Sequence, residues 1–98
     1  MHLVVQGELD VATATALREH LYAAVDRGRG PIVVDLLAVT FIDSTALGVL
    51  IGTKEHSDQR GIDFLLVMEE PRILKIFEIT GLTELFSIAP TVAEAVNR

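Results

Sequence analysis

The chain has no cysteine and no tryptophan, and no apolar run near the roughly 18 to 20 residues that cross a bilayer. Without cysteine there is no disulfide, no thiolate metal site and no Cys nucleophile, which fits a reducing compartment. The missing apolar run argues against membrane insertion. The amino-terminal Met1-His2-Leu3-Val4-Val5 lacks the basic segment and long apolar stretch of a signal peptide, so a cytoplasmic location is expected. Positive charge is scarce too. Lys and Arg total 8 against 14 Asp and Glu, a formal net charge of −6. The few basic residues are scattered, whereas a nucleic-acid module needs a basic stripe, so no direct nucleic-acid partner is expected.

What is present is apolar. Half of the residues are hydrophobic, which argues against disorder, and 98 residues make a single domain, 1–98, with a sizeable core. Leu3-Val4-Val5 is a short β-prone run closed by Gln6-Gly7. Asp10 is placed to cap a helix carrying Ala14, Leu17, Leu21, Ala24 and Val25 at helical spacing, with Gly28 to end it. Pro31 to Leu36 is a nearly continuous β-branched run, as in a parallel strand buried on both faces. Leu37 to Thr40 reads as a connector.

A helix is then expected from Ser44 to Arg60, with Leu47, Leu50 and Ile51 as its stripe. Gly48 and Gly52 sit four apart on it. Each costs about 1 kcal/mol relative to Ala, so either another backbone or a partner is expected to pack there. Ile62 to Val67 is a second buried strand, and Pro71 opens a helix with Ile73, Leu74, Ile76 and Phe77 inward. Gly81 stops that helix, with Leu82 packing back on Phe77. Leu85 to Ile88 is a last short strand, and Thr91-Val92-Ala93-Glu94 has capping-box spacing for a final helix. Strands alternating with helices imply an α/β fold, a small parallel sheet with crossover helices.

The chemistry centres on Asp43-Ser44-Thr45 at the mouth of the central helix, where backbone N–H groups and the helix dipole favour an anion. Ser44 can be a nucleophile, a phosphoacceptor or only a helix cap. His56, the nearest imidazole in sequence, lies roughly 18 Å along the helix, too far for a catalytic dyad. The surroundings are not a G-x-S-x-G elbow either, so no catalytic residue and no enzyme activity is expected. Spacing alone favours the cap, although Leu47 stands where a capping box would carry Glu or Gln. Asp10 and Asp43 lie at strand-to-helix junctions that emerge at the same edge of a parallel sheet, where they can flank Ser44 or serve as ordinary caps. No third hard ligand accompanies them, so no metal is expected. Gly28-Arg29-Gly30 lacks the rest of a nucleotide loop, so no bound cofactor is expected.

Three stretches carry a resemblance. Gly7-Glu8-Leu9-Asp10 with Thr13 and Leu17-Arg18, then Val33-Val34-Asp35-Leu36 followed by Phe41 to Leu50, then Phe77-Glu78-Ile79-Thr80-Gly81-Leu82, closely resemble the motifs of the STAS domain in their proper order. This is the fold of bacterial anti-sigma factor antagonists, a small, mostly parallel sheet with about four helices. The resemblance implies that Ser44 is a regulatory phosphoacceptor. It implies a partner that is both anti-sigma factor and serine kinase, with a histidine-kinase-like ATPase fold using Mg-ATP, and a serine phosphatase that reverses the mark. The unphosphorylated form would sequester the anti-sigma factor and release a sigma factor. Asp10, Asp43, Thr45, Gly48 and Gly52 are the residues expected to meet that partner. A second reading is a docking subunit, for example of a lipid-transport ATPase, that is never phosphorylated. Ala46 stands where many members have Gly. Members also usually carry an extra strand ahead of Gly7-Glu8-Leu9-Asp10, so the expectation is either a sheet short by one strand, with an edge open to self-association, or a truncated start.

Overall fold

The computed structural model describes residues 1–28 and 30–97. Arg29, the middle of Gly28-Arg29-Gly30, lies outside the described residues. The elements run β1 (His2–Leu9), α1 (Ala14–Arg27), β2 (Ile32–Ile42), α2 (Ser44–Gln59), β3 (Phe64–Val67), α3 (Pro71–Ile79), β4 (Ser87–Ala89) and α4 (Val92–Val96). All three strand pairs are parallel, and the sheet order is β1-β2-β3-β4. Parallel neighbours need a crossover, and crossovers share one hand. A monotonic order therefore sends α1, α2 and α3 to the same face.

The side chains follow from the period of two. Ile32, Val34 and Leu36 point into the main core with Leu21 and Val25 of α1, Leu50 of α2 and Phe77 of α3. Val33 points the other way, into a smaller cluster with Val67, Ala89 and Ala95 of α4. Burial of both Val33 and Val34 is why this strand reads as a continuous apolar run. Phe86 closes the main core, edge-on to Phe77 at 5.8 Å between centroids.

Local signals account for the helix ends. Gly28 takes φ 62 and returns its N–H to the Val25 carbonyl. Gly81 takes φ 75, and the Leu82 N–H donates to the Phe77 carbonyl at 2.8 Å, the turn expected from Gly81-Leu82. Glu70 caps α3 by accepting from the N–H groups of Arg72 and Ile73. Desolvation is the largest single influence and raises its pKa, but those two N–H bonds and the Arg72 guanidinium together outweigh it and hold the carboxyl below its ordinary value. Thr91 accepts from the Glu94 N–H at 3.1 Å and caps α4.

Several expected boundaries are corrected. β1 does not stop at Gln6-Gly7 but runs through Gly7, at φ 85, to Leu9. The stretch from Leu37 to Thr40 is not a connector, because β2 continues to Ile42 along β1. It does so through two register shifts, at Val4/Gln6 and Gly7/Glu8, each placing an extra residue on β2. Asp35 accepts the Leu37 N–H at 2.9 Å at the first. Bulges break strict alternation, and that made the segment look like a loop. β3 and β4 are shorter than expected, with Ile62 and Asp63 outside β3 and Leu85 and Phe86 outside β4.

Candidate functional site

The carboxyl ends of β1 and β2 carry the residues singled out around Ser44. β1 ends in a turn that fastens itself. Asp10 Oδ1 accepts from the N–H groups of Ala12 at 2.9 Å and Thr13 at 3.2 Å. Thr13 Oγ1 in turn accepts the Asp10 N–H and donates to the Glu8 carbonyl. Asp10 therefore stabilises the turn over residues 11–13, not α1 as expected. The capping position of α1 is Thr13, whose side chain makes no cap bond.

Asp43 ties that turn to α2. It has extended backbone, with φ −110 and ψ 179, and its Oδ1 accepts the Ala46 N–H at 3.0 Å while its carbonyl accepts Leu47 N–H. Its Oδ2 accepts the Val11 N–H at 3.2 Å, and its own N–H donates to the Leu9 carbonyl at 3.0 Å. One carboxylate thus caps the helix with one oxygen and holds the neighbouring loop with the other. The structure brings the two acidic junctions together through backbone, and Asp10 spends Oδ1 on its own turn.

Ser44 is then the first residue of α2, not its cap. With Asp43 as cap, the third helical position is Ala46, and Leu47 no longer marks an incomplete capping box. The Ser44 hydroxyl is exposed and has no hydrogen-bond partner among the described residues, and the N–H groups of Ser44 and Thr45 have no acceptor there either. Ala46 behind them is fully buried, so its methyl is accommodated within the core.

The two glycines separate. A Cβ on Gly48 would meet nothing within 4 Å, and the residue is exposed one turn beyond Ser44. A Cβ on Gly52 would lie 2.7 Å from the Tyr22 hydroxyl. Gly52, expected to meet a backbone or a partner, instead makes room for a side chain of its own chain. Tyr22 stacks on His56 at 4.6 Å and lies under Arg18 at 4.7 Å. His56 Nε2 is 2.7 Å from Asp26 Oδ1, and an Arg60 N–H points to its Nδ1 at 3.2 Å. Arg60 can only donate, so Nδ1 accepts and Nε2 carries the proton. His56 is committed to this latch between α1 and α2. His2 sits 3.6 Å from Asp35, and His20 bonds the Ala16 carbonyl.

Two apolar residues at the rim escaped the sequence reading. Val11 is 74 % exposed and Phe41 47 % exposed. Val11 is bonded to Asp43, and Phe41 precedes it by two residues. Their signal was an apolar side chain in a turn and one beside an acidic junction, neither of which belongs to any periodic face.

The sequence model of the STAS domain matches residues 1–95. The chain belongs to the STAS domain family. It is 38% identical over 84 residues to an anti-sigma-B factor antagonist of Staphylococcus aureus, covering 86% of this chain and 78% of that one. It is 34% identical over 85 residues to the anti-sigma-B factor antagonist of Bacillus subtilis, covering 87% and 77%. Its fold matches the crystal structure of an anti-sigma factor antagonist from Mycobacterium paratuberculosis with a TM-score of 0.90 and 32% identity, over 98% of this chain and 81% of that one. No described helix is long and apolar enough to cross a membrane.

Proposed function

We propose that this STAS domain is an anti-sigma factor antagonist in the cytoplasm, switched by phosphorylation of Ser44. The observation that carries the reading is the state of that hydroxyl: exposed, unbonded, and first in a helix whose cap is supplied by the residue before it. A kinase can take it without dismantling the helix start. The partner is an anti-sigma factor that is itself a serine kinase of the histidine-kinase-like ATPase fold, supplying Mg-ATP, and a serine phosphatase resets the site. It docks over Ser44, Thr45 and the open surface at Gly48, with Val11 and Phe41 as apolar anchors.

Phosphorylation adds about −1.5 to −2 charges beside Asp43 and Asp10. The helix dipole offsets this by only about 0.3 to 1 kcal/mol, and the free N–H groups of Ser44 and Thr45 receive the anion locally. The fold stays as it is while the docked surface is lost. Steric misfit and the new anion together cost on the order of 1 to 3 kcal/mol at an effective dielectric near 20, about ten- to a hundredfold in affinity. Titrating the partner kinase with Ser44→Asp and Ser44→Ala tests this. The expected result is near-normal binding for Ser44→Ala and a ten- to hundredfold loss for Ser44→Asp, and equal affinities would refute the switch. If mass spectrometry finds no phosphate on Ser44 with any cognate kinase, the domain is a docking subunit instead.

A further inference from the structure

We infer that Thr13 is a positioning residue for partner binding: its hydroxyl holds the turn after β1 so that Val11 meets the partner at a fixed place beside Ser44. The inference rests on the switch reading of Ser44. Thr13 occupies the capping position of α1, and a threonine there ordinarily turns its hydroxyl forward to accept a helix N–H. This one turns back. Its Oγ1 accepts the Asp10 N–H at 3.0 Å and donates to the Glu8 carbonyl at 3.1 Å. α1 therefore starts without a side-chain cap, and the hydroxyl that could stabilise the helix shapes the turn instead.

Connecting turns are as a rule the mobile parts of a fold, but here every backbone N–H from Asp10 to Ala14 is bonded. Asp10 donates to Thr13 Oγ1 and Val11 to Asp43 Oδ2. Ala12 and Thr13 donate to Asp10 Oδ1, and Thr13 and Ala14 to the Asp10 carbonyl. What this fixed turn carries is not used by the core. Val11 is 74 % exposed. Its β-branched side chain is stiff at χ1 and its backbone is already held, so it gives up little freedom when a partner covers it.

The same bonds set Val11 relative to Ser44. Asp43 receives the Val11 N–H on one carboxylate oxygen and caps α2 with the other, and Ser44 is the next residue. A partner seated on Val11 is thereby brought to the Ser44 hydroxyl in one register. Thr13 acts through the turn. It is exposed, so replacing its hydroxyl with a methyl opens no cavity in the core. Without that hydroxyl the Asp10 N–H and the Glu8 carbonyl turn to water, the turn loosens, and Val11 has to be ordered at the moment of binding.

Thr13→Val and Thr13→Ser in the full chain separate this role from a merely structural one. In the free protein, Thr13→Val should speed amide exchange at Val11 severalfold more than at Val34 in the core of β2, and Thr13→Ser should restore it. Affinity for the kinase that phosphorylates Ser44 should fall about three- to tenfold with Thr13→Val and recover with Thr13→Ser. In phosphorylation of Ser44 the change should fall on KM and leave kcat nearly unchanged. In a Val11→Ala background Thr13→Val should cost no further affinity, which neither a general loss of stability nor a direct contact by Thr13 would give. Equal losses with and without the Val11 side chain overturn the inference. So do native affinity for Thr13→Val, unchanged exchange at Val11, and a Thr13→Ser that behaves as Thr13→Val does. None of these results bears on the switch itself, which is judged by the titration with Ser44→Asp and Ser44→Ala.

Discussion

The two ends of α2 are built to opposite purposes. At its start Asp43 satisfies the helix, Ser44 and Thr45 are left exposed, and Gly48 opens onto empty space. Eight residues after Ser44 the same helix is closed down. Gly52 is filled by Tyr22, and His56 and Arg60 are tied to Asp26 of α1. Further in, Thr53 and Ser57 are fully buried yet satisfied by bonding back to the carbonyls of Val49 and Lys54. The latched half fixes where α2 sits, and the unlatched start can then change charge without moving the helix. A switch acting through binding needs that division.

The largest expected effect is on affinity at the open end, the ten- to hundredfold loss for Ser44→Asp, with little change in thermal stability. Next is Asp43→Ala. It removes the cap and the hold on Val11 at once and should cost about 1 to 2 kcal/mol in urea unfolding, with Asp43→Asn falling between it and the native chain. The glycines sharpen the contrast. Gly48→Ala should stabilise the free domain by about 1 kcal/mol, while Gly52→Ala should gain nothing because its methyl meets the Tyr22 hydroxyl. In a Tyr22→Phe background the nearest atom is 3.9 Å away, and Gly52→Ala should recover most of that gain. A double-mutant cycle in denaturant checks it.

The smallest effect lies outside α2, at Glu70. Its carboxyl is held below the ordinary value in the folded state, so its stabilisation is present above the unfolded pKa and is lost as pH falls through the lowered folded one. Glu70→Gln should flatten that part of the acid limb of a stability–pH curve and leave neutral pH nearly unchanged.

The order of elements could be read from the chain because each signal was local. Pro71, Gly81-Leu82 and Thr91 with Glu94 act on neighbours within a few residues, and the structure uses each of them. The apolar run of β2 announced a strand buried on both faces. The full length of β2 was hidden, because its second half is held by bulged pairing with β1, a partner some thirty residues away that leaves no period in the sequence.

At the site, the motif around Ser44 was visible but its roles were off by one residue. Both Asp43 and Ser44 are good caps by type, and only the path of the backbone out of β2 decides between them. Asp43 is extended and takes the cap, which releases the Ser44 hydroxyl. Sequence alone therefore determined the alternation of strands and helices and the presence of a capped, hydroxyl-bearing helix start, since both rest on contacts within one or two turns. Tertiary structure decided that Val11 is fastened to Asp43 and that Gly52 belongs to Tyr22, because each depends on segments that meet only after the sheet has assembled.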